Sequence, residues 1–100
     1  MIDVVILGST GSIGTQAIEL VLDHPDQFRV VGLSAGGSQI ERLANQINLI
    51  HPARVAIPTQ AAADKLRRTL DTYMPTLLVG PTASCDLSRA GADVVLNAIT

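Results

Sequence analysis

The chain predicts an α/β fold: a parallel sheet with helices on both faces, three layers deep, with the first strand central. Three observations carry that prediction. Short apolar runs alternate along the chain with amphipathic stretches of helical spacing, and proline or glycine punctuates each boundary. Strands separated by helices pair in parallel through right-handed crossovers. The third observation is local. Residues 4 to 14 read Val-Val-Ile-Leu-Gly-Ser-Thr-Gly-Ser-Ile-Gly, a buried strand running straight into a glycine-spaced turn that opens a helix.

Each glycine of that turn has its own physical task. Gly8 lets the chain leave the strand sharply, Gly11 lets an anion approach the backbone, and Gly14 lets the helix pack on its strand. A helix starting near Ser12 aims unpaired N–H groups and a positive dipole end at that place. A dinucleotide pyrophosphate is the anion such a turn suits, which makes the domain Rossmann-like. The spacing is Gly-x-x-Gly-x-x-Gly, one residue longer than the common Gly-x-Gly-x-x-Gly. Glycines alone say little; the strand before and the amphipathic helix after give them meaning.

The remaining elements follow in order. Ile13, Ala17, Leu20 and Val21 mark the expected buried face of the first helix, which His24-Pro25 stops. Phe28 to Leu33 is an almost unbroken apolar run, as in a strand covered on both faces. Ala35-Gly36-Gly37-Ser38 is a second tight turn, with Ser38 as the expected cap of a helix striped by Ile40, Leu43, Ala44 and Ile47. His51-Pro52 repeats the earlier punctuation, and Arg54 to Ile57 is the third strand. Pro58-Thr59 opens a helix over roughly Gln60 to Thr72, burying Ala62, Leu66 and Leu70. Thr76 to Val79 is a short fourth strand after Pro75, then a loop or short helix runs through Ala90, and Asp93 to Ile99 is the fifth strand. The expected spatial order is 4-3-2-1-5, with the short fourth strand at an edge. There is no low-complexity segment and no linker.

Composition excludes several classes. An apolar fraction of 47% with 16% charged residues describes a globular chain of 100 residues, enough for one domain. Tyr73 and Phe28 are its only aromatics and the formal net charge is −2. Nucleic acid therefore finds neither stacking platforms nor a basic field. Cys85 is the only cysteine, so no internal disulfide forms, and a reducing, cytoplasmic setting is expected. No signal peptide or membrane span fits the sequence. The two His-Pro pairs suit helix stops better than metal ligands, since no third ligand accompanies them.

The turn Gly-Ser-Thr-Gly-Ser-Ile-Gly and the block His24-Pro25-Asp26-Gln27-Phe28-Arg29-Val30-Val31-Gly32-Leu33-Ser34-Ala35-Gly36-Gly37 together resemble the N-terminal domain of the 1-deoxy-D-xylulose 5-phosphate reductoisomerase family. The segment Asp93 to Ile99 is similar to that family's next central strand. The resemblance implies an NADPH-dependent oxidoreductase that needs magnesium or manganese. Such an enzyme rearranges 1-deoxy-D-xylulose 5-phosphate and reduces it to 2-C-methyl-D-erythritol 4-phosphate, in the non-mevalonate route to isoprenoids, as a homodimer. Carried onto this sequence, it implies that Thr10, Gly11, Ser12 and Ile13 hold the pyrophosphate, with Gly8 among the cofactor-binding residues. Gly36, Gly37 and Ser38 would then lie at the adenosine ribose and its 2′-phosphate.

Many members carry lysine where this chain has Gly37. Arg42 is a candidate substitute, weighed against an ordinary solvated arginine. The resemblance implies no catalytic and no metal-binding residue within 1–100, and Asp86 and Asp93 read as surface or turn residues. The chain is thus expected to be a cofactor-binding domain cut from a larger enzyme, its catalytic and C-terminal domains lying elsewhere. Two alternatives stay open on sequence. One is another NAD(P)-dependent enzyme with this extended turn, such as a semialdehyde dehydrogenase or a dihydrodipicolinate reductase. The other is a nucleotide-binding module without catalysis.

Overall fold

The computed structural model describes residues 1–89 and 91–99. Nine elements alternate along the chain: β1 (Ile2–Leu7), α1 (Ser12–Asp23), β2 (Phe28–Ser34), α2 (Ile40–Ile50), β3 (Arg54–Ile57), α3 (Gln60–Thr69), β4 (Thr76–Val79), α4 (Ala83–Ser88) and β5 (Val94–Asn97). The five strands form one parallel sheet in the order β4-β3-β2-β1-β5. That is the order expected from the sequence. Residue 90, where the expected loop or short helix ends, lies outside the described residues.

The connections explain the layers. From β1 to β4 every crossover steps the same way along the sheet, so α1, α2 and α3 share one face. Their Ile18, Leu43, Ile47 and Leu66 pack there with Val4, Ile6, Val30, Leu33, Val55 and Ile57 of the strands. The chain then crosses back to β5, and the short α4 covers the opposite face. There Ala83 and Leu87 meet Val5, Leu7 and Ala56. Burying a large aliphatic side chain such as Leu43 or Ile57 contributes about 1.5–3 kcal/mol, so the larger cluster dominates the stability.

Strand β2 does not keep strict alternation. Val4 pairs with Val30, but Val5 pairs with Gly32, so Val31 is an extra residue at a bulge. That shift lets Val30 and Leu33 both face the three-helix layer and turns Gly32 toward α4. A Cβ on Gly32 would stand 2.7 Å from Leu87 Cδ1 and 3.2 Å from Val5 Cγ2. Glycine is what allows α4 to sit this close to the sheet.

Several boundaries and faces correct the sequence reading. The buried residues of α1 are Gly14, Ile18 and Val21, while Ile13 and Leu20 are 59% and 58% exposed. The helix leans on the sheet through Gly14, and that contact rotates Ile13 outward. Ser38 is not the cap of α2: Gln39 holds that position, and no side chain caps it. Helix α3 ends at Thr69, three residues early, because Leu70 turns to extended backbone and enters the core. Its fully buried alanine is Ala63, with Ala62 half-buried. Strand β5 spans only Val94–Asn97.

Other punctuation acts as read. His24 and His51 are the C-caps of α1 and α2. His51 takes a left-handed φ of 55° and stacks on Tyr73 at 4.4 Å, while the Tyr73 hydroxyl donates to the Pro52 carbonyl. Thr59 caps α3 by accepting from the Ala62 amide at 3.2 Å.

Candidate functional site

The C-terminal ends of β1 and β2 open onto a cavity of about 490 Å³, lined among others by Gly8, Gly11, Ala35, Gly36 and Ser38. Open parallel sheets bind ligands at the carboxyl ends of their strands where the connections reverse direction. Here the reversal falls between β1, whose crossover runs toward β2, and β5, reached from the far edge. Four of the eight sequence-derived site residues line this cavity, drawn from two turns 25 or more residues apart in sequence.

The first turn is built on its three glycines, and the structure separates their reasons. Gly8 has φ 78°, and a Cβ would come within 3.0 Å of the Ala98 and Ile99 backbone. Gly14 packs α1 onto the turn: its Cβ would overlap the Gly8 carbonyl and stand 2.7 Å from Ser9 Cα. Both are therefore required by the fold. Gly11 is not. Its φ is −73°, and the nearest atom to an added Cβ is Gly8 O at 3.6 Å, an ordinary contact. Nothing within the chain demands glycine there.

Gly11 is also the N-cap of α1, and it offers no side-chain hydrogen bond. The Thr15 amide closes the first helical bond onto the Gly11 carbonyl at 2.8 Å. The amides of Ser12, Ile13 and Gly14 precede that bond, and no acidic side chain stands in the first turn. The helix end thus presents donors and uncompensated positive potential beside the cavity, a fit for an anion. Ser12 and Ile13 are exposed here and do not line the cavity walls. Thr10 is buried, with its carbonyl turned to α2.

The second turn lies across the cavity. Ser34 ends β2, and its hydroxyl accepts from the Gly8 amide at 3.2 Å, so the two turns are tied together. Gly36 is exposed with open space where a Cβ would be, and Gly37 has φ 97°. No acidic side chain stands between Ser34 and Gln39; the first is Glu41 on α2. Arg42 is exposed, as a surface arginine would be, and its Nη1 donates to the Thr10 carbonyl at 3.0 Å.

Sequence reasoning missed Gln46. It is 6% exposed and donates from Nε2 to the Ser9 carbonyl at 2.8 Å. The signal was available: three residues after Leu43, a glutamine falls on the apolar stripe of α2.

Among the described residues, no group of three or more His, Cys, Asp or Glu side chains converges. Asp93 accepts from the Asp3 amide at 2.9 Å, and Asp86 lies in the first turn of α4. No described helix is long and apolar enough to cross a membrane.

Known proteins share this fold. Over 97% of its length the chain superposes, with a TM-score of 0.88 and 27% identity, on the 1-deoxy-D-xylulose 5-phosphate reductoisomerase of Zymomonas mobilis in complex with NADPH, covering 25% of that chain. A reductoisomerase in complex with NADPH, fosmidomycin and magnesium superposes with a TM-score of 0.82 at 25% identity, over 99% of this chain and 24% of that one. In sequence it is 46% identical over 106 residues to the Cutibacterium acnes 1-deoxy-D-xylulose 5-phosphate reductoisomerase, covering 97% of this chain and 26% of that protein. With the Rhodococcus jostii reductoisomerase the identity is 50% over 97 residues, covering 96% and 23%. The chain spans about a quarter of the length of these relatives. The family model matches from residue 4 to residue 100, and the chain therefore belongs to the 1-deoxy-D-xylulose 5-phosphate reductoisomerase family.

Proposed function

We propose that the cavity at the ends of β1 and β2 binds NADPH, and that the chain is the N-terminal cofactor-binding domain of a reductoisomerase. Gly8, Thr10, Gly11, Ser12 and Ile13 serve the pyrophosphate, and Gly36, Gly37 and Ser38 the adenosine ribose with its 2′-phosphate. The observation that carries this reading is Gly11. A residue that the fold leaves free to be larger, set at an uncapped helix end beside a cavity, has its reason in a ligand that approaches the backbone.

NADPH fits better than NADH. NAD-specific domains place a carboxylate at the end of the second strand for the ribose hydroxyls, and a carboxylate there would repel a 2′-phosphate. This chain has Ser34, Ala35, Gly36, Gly37 and Ser38 in that region. The NADPH held by the superposed Zymomonas mobilis relative supports the same choice.

Within the whole enzyme the domain would deliver hydride to the rearranged form of 1-deoxy-D-xylulose 5-phosphate, giving 2-C-methyl-D-erythritol 4-phosphate. Magnesium or manganese would be held by residues other than these, in a catalytic part outside residues 1–100, within a cytoplasmic homodimer. The magnesium in the fosmidomycin complex of a relative supports the metal requirement. What this chain contributes is binding and orientation of the cofactor.

Parallel titrations of residues 1–100 with NADPH and NADH test the reading. Tighter binding of NADPH is expected, and equal or tighter NADH binding would sink it. With 1-deoxy-D-xylulose 5-phosphate and magnesium or manganese, residues 1–100 alone should oxidise no NADPH. Measurable turnover would show that the catalytic groups are here after all.

A further inference from the structure

Both central carbonyls of the first glycine turn are held by α2. Gln46 Nε2 reaches the Ser9 carbonyl at 2.8 Å, and Arg42 Nη1 reaches the Thr10 carbonyl at 3.0 Å. The two donors are four residues apart, one helical turn, so they stand side by side on one face. The Gly11 amide closes the turn onto the Gly8 carbonyl at 3.3 Å.

A planar trans peptide sets each carbonyl opposite the N–H that follows it. With the Ser9 carbonyl drawn to Gln46, the Thr10 N–H points away from α2. With the Thr10 carbonyl drawn to Arg42, the Gly11 N–H points to the Gly8 carbonyl. Type I and type II turns differ in the orientation of the central peptide, so a flip of that peptide would exchange an N–H for a carbonyl on the ligand side. The two contacts from α2 oppose that flip.

Gln46 accepts a penalty for this contact. Its Oε1 is buried without a hydrogen-bond partner among the described residues, as is Ser9 Oγ. An apolar residue would continue the stripe of Leu43 and Ile47 without leaving an amide oxygen unsatisfied. A local rule broken beside a binding site marks a residue kept for the site's geometry.

We infer that Gln46 and Arg42 are positioning residues: through the Ser9 and Thr10 carbonyls they lock the pyrophosphate turn in the form whose Thr10 N–H points away from α2 and whose Gly11 N–H closes on the Gly8 carbonyl. The inference rests on the dinucleotide reading for its effect on affinity, but the lock itself is a property of the free protein.

The test uses the full chain with Gln46→Met, Arg42→Met and Arg42→Lys. Three quantities are read: amide exchange at Gly11 without ligand, affinity for NADPH, and affinity for adenosine 2′-monophosphate, which has no 5′-phosphate. Gln46→Met should speed Gly11 exchange about tenfold and weaken NADPH about tenfold, as the loss of one buried hydrogen bond does. Adenosine 2′-monophosphate should stay within about twofold. Arg42→Met, at an exposed position that tolerates the change, should act in the same direction by roughly threefold to fivefold. Arg42→Lys should restore wild-type values, because its ammonium can still donate to the Thr10 carbonyl. Unchanged Gly11 exchange in both methionine variants overturns the lock. Equal weakening of both ligands by Arg42→Met overturns the positioning role and places its guanidinium on the 2′-phosphate. A wild-type chain that binds no NADPH refutes the dinucleotide reading, while Gly11 exchange still decides the lock.

Discussion

The Gly8 amide donates to Ser34 twice, to its carbonyl at 2.9 Å and to its hydroxyl at 3.2 Å. The start of the first turn is thereby fastened to the end of β2, where NAD-specific domains carry their ribose-binding carboxylate. Ser34 is 1% exposed and lines the cavity together with Ala35, Gly36 and Ser38. A Cβ on Gly36 meets nothing within 4 Å.

Gly36→Asp should therefore fold normally and change cofactor preference. A carboxylate beside the 2′-phosphate is expected to weaken NADPH by about tenfold or more, roughly 1.4 kcal/mol, while NADH gains a ribose partner. Parallel titrations of wild type and variant check this. NADPH affinity unchanged by the carboxylate would place the 2′-phosphate away from Gly36.

Gly11 and Gly14, three residues apart, should respond oppositely to alanine. At Gly11 the backbone and the space both accept a methyl group, so stability should change by less than about 1 kcal/mol. Cofactor binding should nevertheless be lost, because the methyl group occupies the approach to the backbone. Gly14→Ala should cost about 3 kcal/mol, since its Cβ meets backbone that cannot move aside cheaply. Urea unfolding and NADPH titration of the two variants separate these effects.

The contact of Gly32 with Leu87 gives a coupled pair. Gly32→Ala alone is expected to cost about 1–3 kcal/mol by crowding Leu87, and Leu87→Ala about 2–5 kcal/mol by opening a cavity. Together they should cost less than their sum by at least about 0.5 kcal/mol, because the smaller residue 87 makes room for the methyl group. A double-mutant cycle by denaturant unfolding measures the difference. Strict additivity would mean that α4 moves as a unit instead.

Strand β5 pairs only with β1 among the described residues, and its Val94, Val95 and Leu96 are 42%, 39% and 43% exposed. Open strand edges with apolar side chains associate with one another. Residues 1–100 in isolation should self-associate, and Val95→Lys should suppress it. Sedimentation at several concentrations checks both, and a clean monomer for the unaltered chain at high concentration would count against the prediction.

Sequence alone determined the alternation of elements and the sheet order. Those follow from local rules: proline and glycine fix boundaries, apolar runs fix strands, and crossovers of one hand leave few topologies. The turn from Gly8 to Gly14 was legible because its glycine spacing follows an apolar strand and opens an amphipathic helix, although only Gly8 and Gly14 answer a requirement of the backbone itself. What needed the tertiary structure depends on distance across the fold. Helical spacing could not tell Ile13 from Ile18, since the close packing of Gly14 on Ser9 sets the rotation of α1. Residue spacing could not show the bulge at Val31, because register belongs to a pair of strands. Nor could it show Arg42 and Gln46 on the Ser9 and Thr10 carbonyls, more than 30 residues away in sequence. A turn's chemistry is written in its own residues, but its rigidity is supplied by whatever the fold packs behind it.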